Sequence, residues 1–338
     1  MLARMAANFY WLGRYAERTE NTARLLEYQL TRLVDADADE LALGWRVVYR
    51  ALSQSPPQAP ADVDEAEAFL IADAYTLTGG LVEDSTNPAS MISCWGMARE
   101  NAREIRPRLP LRVWVCLNQG FLWLQEAEFA DAWGEGPAAL VSRAIDRLRL
   151  LAGVVDANMA RDDAWRFLEL GRYVERLQQQ IVLLDVWDRI ARPEGDGLVL
   201  SWADLLRVCG AFEPYRRDRS LTLRRSSVLG FLVRNPEVSR SLHYATDRIE
   251  SALRGIDPAG GRPPLAAPHR MVLRMAAALE FDPGDADAPS GDAETPPDDP
   301  DDAASREVFG SLARDSRTLH DLVQATYVDY AVTAGLPS

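Results

Sequence analysis

The chain has 338 residues, 47% of them hydrophobic, enough to bury one large core or two ordinary ones. Its formal net charge is −14, and the base-free run Asp282–Asp302 alone holds nine acids, so the remainder is only mildly acidic and lacks the basic footprint that general DNA or RNA binding requires. No apolar run approaches the roughly 20 residues of a membrane span, and all 37 basic residues are arginine, which excludes lysine Schiff bases, pyridoxal phosphate anchoring and a P-loop lysine.

The first helix is predicted from Ala3 to Val34. Phe9, Leu12, Ala16, Thr19, Ala23, Leu26, Leu30 and Leu33 recur at three- and four-residue spacing along it. The N-terminus enters this charged helix without an apolar leader or cleavage site, so export by a signal peptide is not expected and a cytoplasmic location is. A helical pattern continues over Glu40–Leu52, and Ser53–Asp64 is a proline-rich loop. Helices are predicted at Glu65–Thr78, Ala89–Arg106, Leu111–Trp133 and Gly136–Asn158, the last with Pro137 in its first turn, where a missing N–H is harmless. Asp162 and Asp163 favour a helix start before Ala164–Ile190. Shorter helices are predicted at Trp202–Cys209, Leu221–Val233, Pro236–Arg254, Pro268–Leu279 and Ser305–Ala334. The segment 282–303 has no aromatic and no aliphatic larger than alanine, so it is expected to be a disordered acidic insert. With no convincing strand pattern, the fold class is all-α.

Phe9–Leu26 returns as Phe167–Leu184: nine of eighteen positions are identical at a constant offset of 158 residues. The shared residues include Leu12, Gly13, Arg14, Tyr15, Glu17 and Arg18 against Leu170, Gly171, Arg172, Tyr173, Glu175 and Arg176. NPASMIS (Asn87–Ser93) is echoed by NPEVSRS (Asn235–Ser241) at an offset of 148. The expectation is a duplicated helical bundle with two pseudo-symmetric halves, 1–158 and 159–338, packed as one unit and each carrying a long LGRYxER helix. A period this long is not that of a solenoid.

On a helical wheel Arg14, Glu17, Arg18, Asn21 and Arg24 fall within an arc of about 120°, opposite the aliphatic positions. Tyr10, Trp11 and Leu25 lie in or beside that arc, and Val182, Leu183 and Trp187 occupy the equivalent sector of the second copy. The charged stripe is therefore enclosed by protein. Buried guanidinium and carboxylate groups must pair with each other or meet a ligand. Two readings stay open: an interhelical ion-pair lock, or a cleft for a carboxylate or phosphate, which guanidinium forks bind in bidentate fashion. Arg99, Glu100 and Arg103 repeat these residue types on another helix, and Tyr215, Arg216 and Arg217 form a basic-aromatic patch, a surface loop or a wall for an anionic ligand; all six are candidate ligand-binding residues. Glu20 belongs to the first stripe.

The other chemistry is sparse. His243, His269 and His320 lack metal-ligand spacing, so no metal is expected. Cys94, Cys116 and Cys209 read as buried reduced thiols, and Cys94 as a small core residue more than a nucleophile. No cofactor-binding motif is present. Glu17 and Glu175, each beside arginine, should have lowered pKa values, which suits ion pairing more than acid catalysis.

RMAANFYWLGRYAERTENTARLL, NPASMISCWGMARENAR, MARDDAWRFLELGRYVER, EPYRRD and NPEVSRSL together resemble the alpha-E family, a bacterial all-helical domain of unknown function named for its ER motifs. The resemblance covers nearly the whole chain apart from the acidic insert. It implies a circularly permuted ATP-grasp protein as partner, with transglutaminase-like proteases as further neighbours, in a system that makes or modifies a peptide or amide. The chain would be a stand-alone form without the ATP-grasp part, consistent with its lack of lysine. The resemblance marks Arg14, Glu17, Arg18, Glu20, Asn21, Arg24, Arg172, Glu175 and Arg176 as motif positions and assigns none a catalytic role. The expected function is an accessory subunit that binds a peptide or small anionic substrate. The alternatives are an amide-transfer or hydrolysis enzyme acting on the partner's activated product, and a structural adaptor locked by ER ion pairs.

Overall fold

Several helix starts are held by short polar side chains that accept from the first free backbone N–H groups. Asp37 accepts from Glu40 N while the Glu40 side chain reaches back to Asp37 N, a complete capping box. Asp73, Ser90, Ser201 and Ser241 accept from Thr76, Ser93, Ala203 and Tyr244 in the same way. The computed structural model describes residues 1–56, 73–190, 200–218, 223–257, 264–280 and 301–328, except for the side chains of 301–306. These residues contain fourteen α-helices and no strand.

In chain order the helices are α1 (Ala3–Thr31, continued by a 3₁₀ turn at Arg32–Val34), α2 (Ala38–Ala51), α3 (Ala74–Val82), α4 (Met91–Glu104), α5 (Leu111–Glu126), α6 (Phe129–Glu135) and α7 (Pro137–Asn158). There follow α8 (Asp163–Ile190), α9 (Trp202–Val208), α10 (Phe212–Asp218), α11 (Arg225–Arg234), α12 (Leu242–Ile256), α13 (Ala267–Glu280) and α14 (Asp301–Val323), which ends in a π turn at Gln324–Val328. None is long and apolar enough to cross a membrane.

Four expectations are corrected. The helix expected over Leu111–Trp133 breaks at Ala127 and Glu128, whose backbones are extended. The break turns Phe129 inward against Tyr75, 4.9 Å between ring centroids. The patch around Tyr215 is a helix and not a loop, because the Tyr215 ring is buried edge-on against Phe231. The helix expected from Pro236 starts only at Leu242, since Asn235 Oδ1 accepts from Glu237 N and Val238 N and holds a turn there. Cys116 is half-buried, whereas Cys94 and Cys209 are buried. Most of the acidic insert and the first residues of the helix expected at Glu65 lie outside the described residues. Asp301–Ala303 open α14, where acids favour a helix N-terminus.

The core is organised around α1 and α8. α1 packs on α8, α4 and α7, and α8 also packs on α12, α14 and α2. Both are wrapped on most sides: Phe9, Tyr10, Leu25 and Leu26 of α1 and Leu170, Leu184 and Trp187 of α8 have no exposed surface. The two backbones cross at glycines. A Cβ on Gly171 would collide with the Tyr10 carbonyl, and one on Gly13 with the Leu168 carbonyl. Neither obstacle is a flexible side chain that can move aside.

Gly171→Ala is therefore expected to lower unfolding stability by about 3 kcal/mol or more through overpacking. Gly153→Ala, in the interior of α7 with nothing within 4 Å, should raise it by about 0.8–1 kcal/mol through helix propensity. Urea denaturation of the two variants checks both signs.

Candidate functional site

Because the glycines bring α1 and α8 into near-contact, side chains one turn further along reach across. Glu175 of α8 accepts from Arg14 Nε (2.5 Å), Arg18 Nε (2.7 Å) and Nη2 (3.1 Å), and Gln179 Nε2 (3.0 Å). Glu17 of α1 accepts from Arg176 Nε and Nη2 (both 2.7 Å), Arg172 Nε (3.5 Å) and Arg240 Nη1 (3.2 Å). Each carboxylate thus sits under the two arginines that share its partner's motif position. Both are buried. Burial works against their charged forms, but the facing arginines outweigh it and hold both carboxyls below the usual carboxylate range.

The two clusters differ in what lies above them. On the Glu17 side Arg240 also bonds Glu20 (2.7 Å), Arg176 Nη1 donates to the Ser239 carbonyl (3.2 Å), and Arg172 and Arg248 lie 3.6 Å from Glu169. The space there is a crevice of about 40 Å³, lined largely by aliphatic side chains such as Leu148 and Leu168. On the Glu175 side a polar cleft of about 290 Å³ opens, lined by Arg14, Arg18, Thr22, Gln178, Gln179 and Arg317 among others. The Arg18 side chain keeps 29% of its surface there, against 5% for Arg176. The Arg18 guanidinium also lies beside the Cys94 thiol, and Arg317 has neither a hydrogen bond nor an ion pair among the described residues. Ser53, at the cleft edge, has φ 53°, an uncommon conformation for a residue with a Cβ.

Arg14 is fully engaged. Its Nη2 donates to Gln178 (2.5 Å) and its Nη1 to His320 Nδ1 (2.8 Å). Tyr10 OH lies 2.8 Å from the same nitrogen. Nδ1 faces these donors, so His320 carries its proton on Nε2. Burial, reinforced by Arg14, pushes the His320 pKa down to about 4, and burial pushes Tyr10 up to about 12. The Cys94 thiol, close to Arg18, is pushed up to about 11 by burial.

The other motif residues take other places. Arg24 donates to the Val208 carbonyl at the end of α9; burial and then Arg240 push it down to about 10. Asn21 is buried on α1. Arg99, Glu100 and Arg103 pair with each other on α4, Arg99 also bonding Asn118, and they do not join the crossing. Arg216 and Arg217 are exposed on α10, with Arg216 stacked on Phe212, likewise apart from it. Sequence reasoning missed Arg240, Gln178, Gln179 and His320. Arg240 lies inside the NPEVSRS echo and His320 sat opposite no motif, so only the packing reveals them. Among the described residues no group of three or more His, Cys, Asp or Glu side chains is placed to hold a metal ion.

A family model described as a predicted alpha-helical domain with a conserved ER motif matches residues 1–328. The chain belongs to the Alpha-E family. Uncharacterized proteins of Mycobacterium bovis and of two strains of Mycobacterium tuberculosis are similar to this Alpha-E chain, each 25% identical over 284 residues, which is 80% of the chain and 31% of the relative. The chain therefore spans about a third of the length of the curated relatives it matches. No solved structure matches it.

Acid should weaken this Alpha-E fold through two windows. Glu17 and Glu175 have folded pKa values below their unfolded ones, so their contribution is complete above the ordinary carboxylate pKa and is lost as pH falls through the folded values. His320 is neutral in the fold, so the unfolded chain binds the extra proton and stability falls as pH drops from 6.5 toward 4. His320→Asn should flatten the stability profile between pH 6.5 and 4 and leave the steeper loss below pH 4, measured by urea unfolding across pH.

Proposed function

We propose that this Alpha-E domain is a substrate-binding accessory subunit of an ATP-grasp-type peptide or amide ligation system, and that the cleft over Arg18 holds a carboxylate or phosphate of the substrate. The observation that carries this reading is the part-exposed guanidinium of Arg18, which shares the cleft with Arg317. Glu175 already accepts four hydrogen bonds, and the cleft presents three arginines against that one carboxylate. An anion entering there gains charge-assisted bonds without displacing an existing pair. The association with an ATP-grasp partner, and with a transglutaminase-like protease, rests on the family resemblance. It accords with a chain that has no lysine, and with relatives in which the matching region is under a third of the protein. A cytoplasmic location belongs to the same proposal.

The reading as an enzyme in its own right has weaker support. His320 and Glu175 titrate well below neutrality and Cys94 well above it, so none is poised for proton transfer near pH 7. The structural-lock reading is favoured by the Glu17 cluster, where the carboxylate accepts four hydrogen bonds and Arg176 and Arg240 are buried. We assign the lock to Glu17 and the ligand to the Glu175 side. We further infer that the chain arose by duplication, with halves 1–158 and 159–338. The support is the reciprocity of the contacts: Arg14 and Arg18 to Glu175, Arg172 and Arg176 to Glu17, at one constant offset.

Arg18→Ala is expected to keep the fold, costing about 1–3 kcal/mol because Arg14 and Gln179 still cover Glu175. It should abolish the thermal stabilisation of the wild type by inorganic phosphate or glutarate, and abolish turnover in the presence of the ATP-grasp partner and ATP. Arg176→Ala should instead lower stability by about 3–5 kcal/mol by stranding Glu17. Undiminished anion binding and turnover in a folded Arg18→Ala variant would sink the proposal.

A further inference from the structure

A second surface is built from the outer faces of α5 and α7, away from the ER crossing. α5 buries Val113, Leu117 and Leu124. That register turns Leu111, Val115 and Leu122 outward, 63%, 36% and 37% exposed, and on α7 Leu150 is 59% exposed. Val115, Leu150 and Val154 line a groove of about 350 Å³ between the two helices, together with Arg112 and Arg147. No acidic residue lines it. Arg147 stacks on Trp123, 4.6 Å from the ring centroid. Among the described residues, Arg112 and Arg147 have no ion pair. Some exposed arginines nearby are paired, Arg103 with Glu100, Arg143 with Glu135 and Arg149 with Asp146. The groove thus joins exposed aliphatic side chains to cations without an ionic partner among the described residues, a combination suited to contact with another surface.

We propose that the α5–α7 groove docks an acidic amphipathic helix of a partner protein. A furrow between two helices accepts a third, whose aliphatic side chains at i, i+3, i+4 and i+7 lie along Val115, Leu150 and Val154. Glutamate or aspartate on the flanks of that helix meets Arg112 and Arg147. Two other occupants fit poorly. A second copy bound through the same face would set these arginines against each other. The chain's own acidic run, Asp282–Asp302, has the charge but no aliphatic side chain larger than alanine to fill the groove. In the mycobacterial relatives the matching region is joined to a body more than twice its length, which is a natural source of such a helix. The inference does not depend on what the Arg18 cleft binds.

The test uses the full chain and a fluorescein-labelled 20-residue helical peptide with leucines at that spacing and glutamates on both flanks, read by anisotropy. The expected result is saturable, salt-sensitive binding that falls at least tenfold in Leu150→Glu and in the double variant Arg112→Glu/Arg147→Glu. Phosphate stabilisation through Arg18 should be unchanged in both. Absence of saturable binding, equal binding of a peptide with scrambled leucine positions, or indifference to the substitutions overturns the proposal. So does a dimer in sedimentation that Leu150→Glu dissociates, which would make a second copy the occupant. Binding that appears only after the nine acids of the 282–302 run are replaced by their amides would assign the groove to that run and also overturn it.

Discussion

The contact on which the rest depends is the crossing of α1 and α8 at Gly13 and Gly171. Only residues without a Cβ let the two backbones approach so closely. That proximity decides everything one turn away. Arg14 and Arg18 reach Glu175, and Arg172 and Arg176 reach Glu17, because the helix axes are near enough for guanidinium groups to span the gap. The charged clusters are a consequence of the glycine crossing and at the same time a constraint on it. Any shift of one helix along the other would strand two buried carboxylates.

Burying such groups is costly, and the chain offsets the cost by saturation. Each carboxylate accepts four hydrogen bonds from side chains held rigidly on helices. The cation count exceeds the anion count on both sides, yet the surplus is handled differently. Beside Glu17 it is absorbed by Glu20, Glu169 and the Ser239 carbonyl under a nearly closed aliphatic roof. Beside Glu175 it is left facing a polar cleft. A repeated motif thus yields two unequal environments, one nearly closed and one open to a polar cleft. The difference comes from the packing partners: α14 with its Gln178 and His320 contacts on one side, and the turn carrying Arg240 on the other.

Much of the framework could be read before any coordinates. The three- and four-residue apolar spacing placed most of the helices, Pro137 marked a helix start, and the LGRYxER repeat named Arg14, Glu17, Arg18, Arg172, Glu175 and Arg176. The wheel also exposed the enclosure of the charged stripe, through Tyr10, Trp11 and Trp187. Where the reading failed, a local signal competed with a distant one. The apolar pattern ran on through Ala127, but Phe129 had to turn toward Tyr75. Arg99, Glu100 and Arg103 have the right residue types, but α4 presents them away from the crossing. Arg216 and Arg217 lie on an exposed helix that Tyr215 anchors.

The sequence by itself determined that this is an all-helical chain whose two longest helices carry the same charged motif, because periodicity, capping residues and a constant offset are local properties of the chain. Only the tertiary structure decided which carboxylate each arginine serves, that Arg240, Gln178 and His320 complete the clusters, and that one cluster is closed while the other opens to a cleft. Those outcomes depend on residues about 60 to more than 300 positions apart meeting around a backbone crossing, and no spacing rule along a single helix encodes which face of a distant element will arrive there.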